Sequence, residues 1–112
     1  MKVVFHHSND DPALHDRVVG NIANLLDDET ITIDAVALVA NSGGLDLLLE
    51  DSPERDRVIE LQQRGVQFKQ CSNTIEGTSV TASDLIDGVE LVSSGVGELA
   101  RLQADGFAYL KP

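Results

Sequence analysis

ITIDAVALVA, from Ile31 to Ala40, carries no polar side chain in its second half. A strand of this kind has no face to give to water. It must be covered on both sides, as in a parallel sheet held between helical layers. The rest of the chain repeats the theme. Lys2 to Phe5 (KVVF), Val66 to Gln70 (VQFKQ), Val89 to Val92 (VELV) and Phe107 to Lys111 (FAYLK) are short, β-prone runs bounded by polar residues or glycine.

Helical patterns separate these runs. Asp11-Pro12 pairs a capping residue with a proline suited to the first helical position. Leu14, Val18, Ile22 and Leu25 then recur at helical spacing, widened by Val19 and Leu26, until DDET closes the helix. Leu45 to Leu49 reads as a short buried helix after the break NSGG. Ser52-Pro53-Glu54 opens another that reaches Arg64 and stops at Gly65. Residues 72–88 read as one or two short helical turns with a polar break at Gly77 to Ser79. A last helix starts at Ser94 or Gly95 and ends at Gly106. Five alternations of strand and helix predict a three-layer α/β/α sandwich with a five-stranded, mainly parallel sheet. At 112 residues, without repeat or linker, one domain over residues 1–112 is expected.

Charge and cysteine content narrow the function classes. Nineteen acidic residues face eight basic ones, for a formal charge of −11. Such a surface repels phosphate backbones and argues against nucleic-acid binding. The acids are spread along the chain, Asp outnumbers Glu, and there are three lysines, Lys2, Lys69 and Lys111. That pattern resembles cytoplasmic proteins of salt-loving archaea. No run is long enough to cross a bilayer, and MKVVFHHSND reads as a first strand, not a signal peptide. A single cysteine allows no intrachain disulfide, which points to a reducing cytoplasm.

In open α/β sheets, ligands bind beyond the carboxyl ends of the strands. Those ends deliver His6, His7, Ser8 and Asn9; then Asn41, Ser42, Gly43 and Gly44; then Cys71, Ser72, Asn73 and Thr74; then Ser93 and Ser94. Position alone leaves two readings of Cys71. It is a small buried hydrophobe at a strand end, or a thiol activated by the helix start at Asn73 and Thr74. The polar stretch CSNTIEG favours exposure. His6 and His7 point to opposite faces of a strand, so at most one can serve a given pocket, as proton carrier or as a cation for the thiol. The other reading makes both surface or capping residues. His6, His7, His15 and Cys71 match no standard zinc spacing, so no metal and no cofactor are expected. NSGG can cradle a small anion on backbone N–H groups, although most Gly-Gly pairs are turns. No P-loop, dinucleotide fingerprint or nucleophile elbow is present.

The segments VVFHHSNDDPAL with Asn21 and Asn24, GVQFKQCSNTI, and LQADGFAYLKP, taken in order, resemble the DsrE/DsrF-like family, in particular its small stand-alone archaeal and bacterial members. The resemblance implies a parallel five-stranded sheet flanked by helices, assembled into trimers or hexamers. In sulfur-relay members a cysteine after the third strand carries a persulfide between partner proteins, and Cys71 stands at that position. Those members commonly have basic residues after the cysteine, whereas SNTIEGTS has none. Anion stabilisation then falls to the helix start and to one of His6 and His7, with Asn9, Asn41, Ser42, Gly43, Asn73 and Thr74 lining the pocket. Two functions follow as expectations. One is a sulfur carrier that exchanges with donor and acceptor proteins. The other is a non-catalytic, oligomeric binding module in which Cys71 only packs.

Overall fold

The computed structural model describes residues 1–112. Five parallel strands form one sheet: β1 (Lys2–His7), β2 (Ala35–Ala40), β3 (Gln67–Cys71), β4 (Glu90–Val92) and β5 (Phe107–Leu110), in the order β4-β3-β2-β1-β5. The helices are α1 (Pro12–Asp27), α2 (Arg55–Gln63), the single turn α3 (Ser72–Ile75) and α4 (Gly95–Ala104), with 3-10 turns at Ser42–Leu47 and Ala82–Asp84. From β1 to β4 the chain steps outward one strand at a time. It then returns through α4 across the whole sheet to place β5 beside β1. Right-handed crossovers put α1 and α2 on one face and leave α4 alone on the other.

The two cores are unequal. On the α1/α2 face, Val3, Phe5, Val36, Leu38, Ala40 and Phe68 of the sheet meet Val18, Val19, Ile22, Val58 and Leu61 in a cluster of 15 buried residues. On the other face, Val4, Ala37 and Val39 meet Leu99 and Leu102 of α4 in a cluster of five, flanked by Phe107. β2 feeds both, as its unbroken apolar run requires. The acids lie outside: of the nineteen, Glu98 alone is buried.

Several boundaries differ from the sequence reading: β1 extends to His7, β3 runs from Gln67 to Cys71, and three further differences concern β2, α2 and NSGG. β2 begins at Ala35, not Ile31: the β1–β2 ladder starts at the Lys2–Ala35 pair, and ahead of it Met1 is joined to Thr32 and Asp34 by isolated hydrogen bonds. α2 begins at Arg55. Ser52 forms a preceding turn in which its hydroxyl accepts from the Glu54 N–H at 3.2 Å. The NSGG segment continues as a 3-10 turn from Ser42, ahead of the helix expected at Leu45.

Strand alternation separates His6 from His7. His7 joins Val3 and Phe5 on the α1/α2 face and is buried, its Nε2 2.6 Å from His15 Nδ1 on α1. It is therefore removed from the thiol-bearing face, a correction to its placement among the catalytic candidates. His15 is buried on α1, where Leu14 is only half-buried. Burial, with the neighbouring His15, His6 and Lys111, pushes His7 down to about 4.

Two predictions follow from this packing. A Cβ on Gly44 would lie 2.1 Å from the His7 carbonyl oxygen, a backbone atom that cannot yield. Gly44→Ala is expected to destabilise by about 3 kcal/mol in chemical denaturation, at the upper end of overpacking costs. A loss below about 1 kcal/mol would show that this contact relaxes. The depressed His7 means the native state keeps a neutral imidazole that the unfolded chain protonates near 6.5. Its contribution is complete above pH 6.5 and disappears as pH falls to about 4, amounting to about 2–3 kcal/mol. Denaturation measured across that window should give a flatter acid limb in His7→Leu/His15→Leu than in the parent, and equal slopes would contradict the assignment.

Candidate functional site

Lys69 and Cys71 of β3, Asn41 beyond β2, and Val4 and His6 of β1 all project to the α4 face, two residues apart along each strand. Because Ala40 pairs with Gln70, Asn41 is level with Cys71 at the carboxyl edge. α4 begins directly above them. Ser94 caps it, its hydroxyl accepting from the Gly97 N–H at 3.1 Å. Gly95 sits so close that a Cβ there would lie 3.2 Å from both Asn41 Cβ and Cys71 Cβ. A side chain at position 95 would separate the helix start from the thiol.

Cys71 is 5% exposed. The exposure expected from its polar neighbours does not hold. Ser72 to Ile75 turn outward as α3, and the first turn of α4 closes over the sulfur. The thiol is nonetheless served by donors. Burial pushes it up, but hydrogen bonds from the Gly95 N–H, the Thr74 N–H and hydroxyl, and the Asn73 N–H outweigh that and hold it below the ordinary thiol value. Charge-assisted hydrogen bonds favour the thiolate, since only the anion gains their full strength.

A polar row continues from Asn41 along the edge. The His6 Nε2–H donates to Asn41 Oδ1 at 3.0 Å, which leaves Nδ1 to accept from the Tyr109 hydroxyl at 2.7 Å. His6 is held below its usual range by burial, opposed by the Asn41 hydrogen bond and reinforced by the Lys111 charge. At neutral pH it is an uncharged imidazole. The cationic role considered for it is therefore not the one the geometry provides: His6 orients the Asn41 amide beside Gly95 and Cys71.

The remaining candidates divide. Thr74 contributes two donors to the thiol and accepts from the Ser42 N–H at 2.9 Å. Asn73 contributes its backbone, its side chain being exposed. Ser42 holds a left-handed φ of 49°, fixed by its bond to Thr74, and brings no side chain to the thiol. Gly43 packs against the Asp10 and Asn9 backbone, where a Cβ would come within 2.6 Å of Asp10 N. The Ser42 and Gly44 N–H groups are already donated, to Thr74 and to the Asn41 carbonyl, so NSGG serves close packing in place of the anion cradle considered for it. Asn9 belongs to the start of α1, accepting from the Asp11 N–H at 2.8 Å. Gly95 and Tyr109 were missed. Ser94-Gly95 was legible as a helix start, but its position over Cys71 depends on a strand order that periodicity does not encode.

The DsrE/DsrF-like family profile matches residues 3–112. Among solved structures, a protein of unknown function from Methanobacterium thermoautotrophicum is 39% identical, with a TM-score of 0.91 over 99% of this chain and 98% of its own. A conserved protein of unknown function from Bacteroides thetaiotaomicron (15% identity, TM-score 0.72, 99% and 94% coverage) shares the fold. So does the ychN protein of E. coli (19% identity, TM-score 0.69, full coverage of both chains). No curated protein matches the chain. With nearly its whole length matched by the family profile, the chain belongs to the DsrE/DsrF-like family.

Proposed function

We propose that the protein is a sulfur carrier in which Cys71 accepts a sulfane sulfur from a persulfide donor and passes it to a second thiol. The observation that supports this reading is the shell around Cys71: the thiol lies at the carboxyl edge of a parallel sheet, packed against Gly95 at the start of α4, and the donors of Gly95, Thr74 and Asn73 hold it below its ordinary value. A structural cysteine needs no such shell. The Cys71 thiolate attacks the outer sulfur of R–S–SH, the donor S–S bond breaks, and RS⁻ leaves and takes up the proton released from Cys71. Cys71 is left as –S–SH. A thiolate on the acceptor then attacks that outer sulfur and restores Cys71, so no external oxidant or reductant enters. The same donors that hold the thiolate suit the persulfide anion.

Iodoacetamide labelling of the native protein across pH, read by mass spectrometry, tests the thiol. A midpoint below about 8.5 is expected, with no labelling in Cys71→Ser. Incubation with a small alkyl hydropersulfide should add one sulfur to the parent and none to Cys71→Ser. A native thiol that neither alkylates nor takes up sulfur sinks the reading and favours the binding-module alternative, in which Cys71 only packs.

We further propose a homo-oligomer, trimer or hexamer, joined through the β5 edge. β5 has an unpaired outer edge, and Tyr109 and Leu110 are 41% and 44% exposed. Burying them against another copy would remove both the open edge and the apolar surface. Sedimentation equilibrium should give three or six times the chain mass, with Leu110→Asp reduced to the monomer. A parent that sediments as a monomer refutes this.

A further inference from the structure

Directly beneath the Gly95–Cys71 contact, α4 and β3 share a buried ion pair. Lys69 Nζ lies 2.6 Å from Glu98 Oε2, with the two residues 8% and 3% exposed. Lys69 is two residues before Cys71 on the same face of β3, about 6.6 Å along the strand. Glu98 is three residues after Gly95, about 4.5 Å along the helix. The two contacts are thus successive rungs between one strand and one helix that runs back over it. Two other charged groups attend the pair: Glu90 on β4, its Oε2 3.4 Å from Lys69 Nζ, and Arg101 on the next turn of α4, against the other oxygen of Glu98.

Besides the short link through Ser93 and Ser94 from Val92 of β4, which pairs with Cys71, few features fix where the body of α4 sits along β3. Its apolar footing is Leu99 and Leu102 on Val4, Ala37 and Val39, a small patch of aliphatic groups. Aliphatic contacts of similar volume tolerate repacking and specify a position weakly. A buried ion pair is different in kind. Any slide of α4 parts Lys69 from Glu98 and leaves each only its more exposed second partner, Glu90 or Arg101, so one register is favoured even where the pair adds little net stability.

We propose that Lys69 and Glu98 are positioning residues for the Cys71 site, locking the register of α4 on β3 so that the Gly95 N–H is held on the sulfur. Neither residue touches the thiol. They act through the helix start, and the Asn73 and Thr74 donors, which continue β3 itself, do not depend on them. The proposal rests on the reading of Cys71 as the working thiol, but its test does not require sulfur transfer.

The sign of the response decides it. In Glu98→Gln, Lys69 retains Glu90 on β4 as its charged partner and α4 loses its anchor. The Gly95 N–H then drifts from the sulfur, and the iodoacetamide titration of Cys71 should move upward by about one pH unit, equivalent to roughly tenfold less thiolate below the midpoint. Simple Coulomb interaction predicts the reverse, because removing a nearby carboxylate favours a thiolate. Glu90→Gln takes the other carboxylate from Lys69 without touching α4 and should leave the profile in place. Lys69→Met/Glu98→Leu, which replaces the pair with apolar groups, should keep the parent's thermal midpoint and still shift the thiol upward. An unmoved or lowered titration in Glu98→Gln overturns the proposal, as does an equal upward shift in Glu90→Gln. Sulfur uptake, scored separately in the same variants, tells failure of this positioning role from failure of the carrier reading.

Discussion

The return of the chain across the sheet governs both the second core and the site. Once β1 to β4 have been laid outward in order, β5 can reach the far side of β1 only if α4 traverses β3, β2 and β1 on the uncovered face. That traverse begins at the carboxyl edge of the sheet, where β4 ends. Its first turn therefore lands above the last residues of β2 and β3, and Gly95 comes to rest on Asn41 and Cys71. Covering the apolar face of β2 and capping the thiol are a single act of packing. The face with α1 and α2 is secured by a cluster three times larger and can hold the sheet together while α4 is set by fewer contacts.

What the sequence revealed follows from which properties are local. Continuous apolar runs, the Asp11-Pro12 start of α1 and the glycine stop at Gly65 (φ 95°) depend on neighbours in the chain, and they were legible. The start of β2 at Ala35 is set by its pairing with Lys2 of β1, a property of register. The same limit applies to the site. Cys71, His6, Asn41 and Thr74 could be named from their place after strands. Which of His6 and His7 faces the thiol, and that Tyr109 completes the row, required the sheet order. The polar stretch after Cys71 pointed the wrong way about burial, because what covers the sulfur comes from Gly95, more than twenty positions further along the chain. Lys69 and Glu98, 29 residues apart, carry no local signal that they meet.

The thiol is supported in an unusual electrostatic setting. The chain carries a formal charge of −11, and none of the groups that lower the Cys71 pKa is a cation. His6 is uncharged at neutral pH, and the one lysine on the same strand face is committed to Glu98 and Glu90. Stabilisation of a thiolate therefore comes from fixed dipoles. A hydrogen bond to a charged group contributes about 1.5–3 kcal/mol, so several together can exceed the burial penalty, in accord with the net lowering. Salt screens exposed charges beyond about 10 Å at 0.1 M and affects buried short-range contacts far less. The surface charge and the thiol chemistry are thus largely uncoupled.

Dipoles differ from charges in how steeply their effect depends on placement. An ammonium a few ångströms from a thiolate still attracts it through Coulomb's law at any orientation. An N–H group displaced by 1 Å or tilted well away from linearity loses most of its hydrogen bond. A site built on donors alone must hold those donors still. Asn73 and Thr74 are held by covalent continuity with β3, and Thr74 also by its bond from Ser42. Gly95 is tied less directly, through Ser93 and Ser94 to Val92 of the neighbouring strand β4, which pairs with Cys71. An ion pair buried one rung below it, in a chain that otherwise keeps its acids at the surface, sits where a donor-only site most needs a fixed register.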